Sequence, residues 1–242
     1  MRFDVFEYTN HGGRSYNEDA IGHKVIGNNG VFLVADGLGG HNYGELASAC
    51  VRDTLLDGFS GSFGGNASGW LSSAITMANN NVLAIQQEKN DVLKSTVVAL
   101  AIEEGRASWA NVGDSRLYYL HNGEIASYTN DHSVAYKKFK GGEITRDQLR
   151  TDEDQSALLR SIGSVDRNEV ELYDYNTYVQ PGDAFMLCSD GVWEFISDEE
   201  IVIDLMKAHD AREWAELLLL RMMERIQGGN DNLTIQTIMI WD

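Results

Sequence analysis

The chain has 242 residues, 43% of them apolar, enough to bury a sizeable core in one large domain or two small ones. Its 37 acidic residues outnumber 19 basic ones, and the net charge of -18 disfavours binding to nucleic-acid backbones or anionic membrane surfaces. The opening MRFDVFEYTNHGG has no apolar core of signal-peptide length and no apolar run approaches a membrane span, so the expectation is a soluble, cytoplasmic protein.

The first strand signal is the apolar run at residues 31–35. Ala47, Cys50, Val51, Thr54 and Leu55 then mark one helical face, and Leu71, Ala74, Ile75, Ala78, Val82 and Ile85 mark a longer helix. Between them, DGFSGSFGGNASG (57–69) reads as a mobile surface loop. Residues 96–102 and 107–112 flank Glu103-Glu104-Gly105-Arg106, and 117–120 and 125–129 flank His121-Asn122-Gly123-Glu124; both read as hairpins. Further strands are predicted at 170–179, at 184–189 after Gln180-Pro181-Gly182-Asp183, and at 233–241. Ser197 followed by Glu200 is a capping box opening a helix through Ile201 and Leu205, and 210–227 forms another helix closed by Gly228.

One proline, no charge block and no repeat leave no interdomain linker, so a single domain over 1–242 is expected. Strands grouped in hairpins argue for antiparallel sheets with helices packed outside, an α+β layered domain rather than a Rossmann fold. Neither a dinucleotide fingerprint nor a P-loop occurs in a strand-to-helix context. Cys50 and Cys188 sit among apolar neighbours and read as small buried hydrophobes, not as a disulfide framework.

Carboxylates recur in glycine-bearing turns at strand ends. VFLVADGLGGH carries Asp36 and three following glycines, GGRSYNEDA carries Arg14, Glu18 and Asp19, NVGDSR carries Asp114, MLCSDGVW carries Asp190, and GGNDNLT carries Asp231. Taken singly, an Asp-Gly turn is ordinary. Gathered together, the aspartates would repel one another and need a hard cation such as Mg²⁺ or Mn²⁺, which prefers oxygen donors. Without a C-x-x-C or H-E-x-x-H motif, a zinc site is not indicated.

In this order, R-x-x-N-E-D, D-G-x-G-G-H-x-x-G-E, G-D-S-R, D-H-S, S-D-G-V-W and D-N-L-T resemble the metal-dependent protein phosphatases (PPM type, protein phosphatase type 2C), particularly their compact bacterial members. The resemblance runs from Arg14 to Thr234 and implies a sandwich of two antiparallel β-sheets flanked by α-helices, with a dinuclear metal site at one end. It implies hydrolysis of phosphoserine and phosphothreonine in proteins by direct attack of a metal-bridging hydroxide, using two Mn²⁺ or Mg²⁺ ions with room for a third. Asp36 would bridge the metals and the Gly37 carbonyl would ligate one; Asp190 and Asp231 would complete the first shell. Asp19 would serve the second metal, with Glu18 as a ligand or as an acceptor for metal-bound water, and Asp114 with Asp190 would hold the third. Arg14 would grip the substrate phosphate through its guanidinium fork.

Leu38 stands where eukaryotic members carry a histidine proposed as general acid, so the proton donor to the leaving group is assigned to His41, with loop stabilisation and proton donation by metal-bound water as alternatives. Asn130-Asp131-His132-Ser133 leads into a flap at 134–159, with Gly141-Gly142 as its turn; Arg150-Thr151-Asp152-Glu153-Asp154-Gln155 departs there from the His-Pro pair and basic residues of many bacterial members. Leu-Leu-Arg-Ser-Ile-Gly (158–163) resembles the helix after the flap, with Arg160 structural. The partners implied are phosphoproteins, a Ser/Thr kinase and its substrates, and the family suggests a monomer. Two further readings remain open: a non-catalytic phosphoprotein-binding module, and a phosphatase of small phosphate esters.

Overall fold

The computed structural model describes residues 1–39 and 43–242. In chain order the strands are β1 (Arg2–Asn10), β2 (Ala20–Ile26), β3 (Asn29–Ala35), β4 (Gly37–Gly39), β5 (Leu93–Ser95), β6 (Val97–Glu103), β7 (Arg106–Val112), β8 (Arg116–His121), β9 (Glu124–Tyr128), β10 (Glu171–Tyr178), β11 (Ala184–Cys188) and β12 (Leu233–Trp241). The helices are α1 (Gly44–Gly58), α2 (Ala67–Lys89), α3 (Val134–Lys140), α4 (Asp190–Trp193), α5 (Asp198–Lys207) and α6 (Ala211–Arg225). One five-stranded sheet has the order β1-β12-β11-β8-β9 and a second the order β10-β7-β6-β3-β2, all pairs antiparallel. This is the expected sandwich.

Its central strands are continuous apolar runs because both of their faces are covered. Side chains alternate across a strand. In β3, Phe32 and Val34 enter the layer between the sheets, while Val31, Leu33 and Ala35 face a second core. That second core is closed by Val51 and Leu55 of α1 and Leu71, Ile75 and Val82 of α2. In β11, Phe185 and Leu187 point between the sheets, and Ala184, Met186 and Cys188 point to a third core. Trp193 of α4, Ile201 and Leu205 of α5, and Trp214 and Leu218 of α6 close it. The result is a helix–sheet–sheet–helix stack.

Local signals work where they are strong. Glu104 and Gly105 have φ of 50° and 79°, and Asn122 and Gly123 of 53° and 75°, the left-handed pairs that a tight antiparallel hairpin needs. Ser197 and Glu200 form both halves of the capping box, and Asp210 caps α6, which ends at Arg225 with an extended Ile226 rather than running to Gly228.

Two expectations are corrected. In the 57–69 segment, α1 runs to Gly58 and α2 starts at Ala67, and the loop between them is anchored: Phe59 and Phe63 are buried, stacked with centroids 4.7 Å apart. The Glu103 carboxylate accepts from the Phe63 and Gly65 amides at 2.7 and 2.9 Å. Residues 158–163 are not helical. Ile162 pairs with Ser95 and Leu158 with Ser133, and Gly163 sits at φ +83°, outside the helical region. The same stretch donates its Gly163 amide to Asn79 Oδ1 at 2.8 Å, so it is laid as an extended strap over α2 and β5. In the flap, α3 is followed by a turn at Gly141-Gly142 and a single 3₁₀ turn at Gln148–Arg150. Among the described residues, no helix is long and apolar enough to cross a membrane.

Candidate active site

Antiparallel register puts the motif residues at one end of the sandwich. Ala20 pairs with Ala35, Val97 with Val112 and Cys188 with Ile235, so the start of β2 lies beside the end of β3, and the end of β11 lies beside the start of β12. Asp19, Asp36, Asp114, Asp190 and Asp231 follow or precede those very ends. Arg14, Glu18, Asp36, Gly37, Leu38, Asp114, Asp190 and Asp231 line one cleft of about 270 Å³, joined by Ser156 and Leu158 from the flap. A larger depression of about 640 Å³ between β9 and α5 is lined by Ile125, Tyr128, Asn130, Val202 and Ile203 among others and holds none of the residues expected to bind metal or phosphate.

Asp36 is held through its backbone. Its amide donates to Thr96 Oγ1 at 3.0 Å, and its carbonyl accepts from the Thr96 amide at 2.8 Å and from Ser95 Oγ at 3.0 Å. Next to it, Gly37 is required for packing: a Cβ there would lie 2.2 Å from the Gly44 carbonyl oxygen and 2.4 Å from that of Glu18. The reason for glycine at this position is therefore close backbone contact with α1 and the Glu18 turn. Gly12 obeys the same logic at φ +58°, where a Cβ would meet the Asp231 carbonyl oxygen at 2.1 Å.

The N-terminal loop is fastened to the start of β12 by Asn232. Its Nδ2 donates to the carbonyls of His11 and Tyr16 at 3.0 and 2.8 Å, and its Oδ1 accepts from the Glu18 amide at 2.8 Å. Glu18 Oε1 accepts from the Gly44 amide at 3.1 Å, at the electropositive start of α1. Arg14 reaches back to Asp231, Nη2 to Oδ2, at 2.8 Å.

Asp19 lies behind the cleft wall. Its Oδ2 accepts from Ser189 Oγ at 2.9 Å, while its Oδ1 is buried without a partner, as is Oδ1 of Asp190. Burial pushes the Asp19 carboxyl up to about 7 and that of Asp190 up to about 6, with the neighbouring aspartates adding to both. Asp36 and Asp114 are raised well above the usual carboxylate range by burial and then by Asp19 and Asp190 respectively. A cluster of acids that raise one another has a deficit of positive charge at its centre.

That deficit, the orphaned oxygens of Asp19 and Asp190, and an all-oxygen donor set fit a hard divalent cation. Among the described residues, no group of three or more acidic, histidine or cysteine side chains is already arranged to hold an ion. An open arrangement of few carboxylates suits Mg²⁺-like ions, which keep several of their waters.

His41, the assigned proton donor, lies outside the described residues. Glu194 is an acid outside the motif set: burial, then Asp190 and Asp231, push its carboxyl up to about 8. Its spacing of one helical turn from Asp190 was the available signal. Arg116 of the GDSR motif is buried away from the cleft, paired twice with Asp131 at 2.8 and 2.7 Å, with its guanidinium 3.5 Å from the centre of the Trp193 ring.

A family model for protein phosphatase 2C matches residues 10–225. The serine/threonine phosphatase stp of Listeria monocytogenes is 29% identical over 232 residues, covering 92% of this chain and 89% of that relative. A putative protein phosphatase 2C-type protein of Streptococcus pyogenes is 31% identical over 231 residues, covering 93% and 92%. Among solved structures, the S. agalactiae serine/threonine phosphatase superposes with a TM-score of 0.86 at 25% identity, covering 99% of this chain and 100% of the other. The catalytic domain of the serine/threonine protein phosphatase PstP in complex with two manganese ions gives 0.84 at 25% identity, covering 99% of each. With its motifs gathered at one end of this sandwich, the chain belongs to the protein phosphatase 2C family.

Proposed function

We propose that this chain is a metal-dependent protein serine/threonine phosphatase, hydrolysing phosphoserine and phosphothreonine in proteins. The observation that carries this reading is the convergence of Asp36, Asp114, Asp190 and Asp231 on one cleft with Arg14 at its rim. Asp36, Asp190 and Asp231, with the Gly37 carbonyl, would hold the first cation; Asp36 and Asp19 would hold the second, with Glu18 as a ligand or as an acceptor for its water; Asp114 with Asp190 would provide for a third. When bound, such cations supply an activated water as nucleophile and neutralise charge on the transferring phosphoryl group.

The chain's own residues do the rest. A guanidinium carries five N–H donors, and the Asp231 hydrogen bond uses Nη2, leaving others for phosphate oxygens. Ser156 and Leu158 bring the flap to the cleft wall, where the protein substrate would lie. His41 keeps its assignment as the donor of a proton to the departing serine or threonine oxygen. Mn²⁺ or Mg²⁺ is the working ion, a Ser/Thr kinase and its substrates are the natural partners, and the working unit is a cytoplasmic monomer.

Turnover on a phosphothreonine peptide, compared with turnover on small phosphate esters at equal Mn²⁺, tests the substrate class. A higher kcat/KM for the peptide is expected. A higher kcat/KM for a small ester would overturn the protein-substrate reading.

A further inference from the structure

His132 belongs to the Asn130-Asp131-His132-Ser133 stretch that leads into the flap. Its ring is buried, 6% exposed, and engaged on both nitrogens. The Gly113 amide donates to Nδ1 at 3.1 Å, and the His132 amide donates back to the Gly113 carbonyl at 2.9 Å. Gly113 is the residue immediately before Asp114, with φ of +106°. An Nδ1 that accepts must leave the ring proton on Nε2, and there Glu171 Oε2 accepts it at 2.8 Å. Glu171 is itself fixed: its Oε1 accepts from Asn130 Nδ2 and from the Tyr173 hydroxyl, both at 2.8 Å. Arg160 also approaches, with Nη1 3.3 Å from Nε2, but both of those nitrogens carry hydrogens, and its ion-pair partner is Glu169 at 3.2 Å. On the far side, the Asp114 carbonyl accepts from Trp193 Nε1 at 2.9 Å.

We propose that His132 and Glu171 are positioning residues for Asp114, fixing the loop that presents this carboxylate to the cleft. The proposal deepens the phosphatase reading and rests on it. Glu171 selects the ring tautomer, and the tautomer decides whether Gly113 is held. With the proton on Nδ1 instead, two N–H groups would face each other and the clamp would open. Carboxylate–histidine pairs that orient metal sites from behind follow the same logic, and losing one costs about 10-fold or more in metal affinity. Neither residue touches the cleft, so the reacting atoms are unaffected directly.

The test combines phosphopeptide turnover across a Mn²⁺ titration, Mn²⁺ binding by calorimetry, and ¹⁵N NMR of the His132 ring. His132→Ala and Glu171→Ala are expected to raise the half-maximal Mn²⁺ concentration about 10-fold while KM for the peptide stays within about 2-fold. Glu171→Gln, whose amide oxygen can still accept from Nε2–H but whose amide nitrogen cannot accept from Asn130, is expected to fall between wild type and Glu171→Ala. Asp114→Ala and the double variant Asp114→Ala/His132→Ala are expected to give the same Mn²⁺ requirement, since the histidine acts through that carboxylate. The ¹⁵N spectrum should show one tautomer in wild type and a mixture in Glu171→Ala, a readout that a merely structural role would not move. Full additivity in the double variant, or an unchanged Mn²⁺ requirement and tautomer in Glu171→Ala, would overturn the proposal. Calorimetry and NMR need no substrate, so a wild-type protein that turns over no phosphopeptide would defeat the phosphatase reading separately.

Discussion

Arg14 and Asp231 stand 217 positions apart in the chain and meet at the rim of the cleft, Nη2 to Oδ2, at 2.8 Å. Their side chains are 59% and 42% exposed, so as an ion pair they add little to stability. What the contact does is aim a guanidinium across the mouth of an acidic cleft. Arg14→Ala should therefore lower kcat/KM for a phosphopeptide about 10- to 100-fold, the range expected for losing charge-assisted contacts. Its Tm should shift by no more than about 2 °C. Arg14→Lys, which keeps the charge without the fork, should fall between the two. Steady-state kinetics with thermal melts check this, and a large loss of Tm in Arg14→Ala would assign the pair to the fold instead.

Asp36 lines the cleft among like charges, and desolvation followed by those neighbours raises its carboxyl well above the usual range, an arrangement that favours function at the expense of the fold. Asp36→Asn removes one charge and keeps the shape. In metal-free protein it should raise Tm by about 2–4 °C, corresponding to roughly 1 kcal/mol in a chain of this size, while abolishing turnover. Calorimetric melts in EDTA read the first effect and phosphate release the second.

Asn232 links three backbone groups of the first loop to the last strand and is 5% exposed. Replacing it by alanine leaves the Glu18 amide and two carbonyls without those partners, at a cost of about 2–3 kcal/mol. Urea unfolding of Asn232→Ala should show that loss, together with a higher Mn²⁺ requirement, because Glu18 and Asp19 lose their anchor.

The Glu171 carboxyl is held down at about 2, against 4.5 unperturbed, first by its hydrogen bond from His132. The unfolded chain thus binds the proton more readily. The stabilisation is present above about pH 4.5 and is lost as pH falls toward 2. Glu171→Gln has no carboxyl to titrate, so its Tm should decline less steeply than wild type over that interval. Parallel slopes would show that the pair contributes nothing to acid stability.

The parts of this molecule that were legible in sequence are those where one local rule decides. Phe32-Leu33-Val34 and Phe185-Met186-Leu187 are apolar on both sides because both sheet faces are covered. Asn122-Gly123 and the Ser197–Glu200 box name their own backbone conformations. In contrast, β1 and β2 carry no strand signal: each lies on a sheet edge, and half-buried Asp4, Glu7 and Lys24 and exposed His23 are interspersed among apolar side chains, so neither period stands out. At Gly37 it is long-range contact between Glu18, Gly37 and Gly44 that demands glycine. Non-local contacts of that kind leave no trace in spacing. The same holds for the 57–69 loop, where glycine content suggested mobility and buried Phe59 and Phe63 supply the anchors. The clamp of His132 on Gly113 likewise joins residues 19 positions apart across two loops.

The central claim, a cation-dependent phosphatase site at the end of the sandwich, is tested most directly by phosphate release from a phosphothreonine peptide with Mn²⁺, beside an EDTA-treated sample. Activity that EDTA abolishes and added Mn²⁺ restores is the predicted result. Folded protein that releases no phosphate with Mn²⁺, or releases it equally well in EDTA, would contradict the assignment.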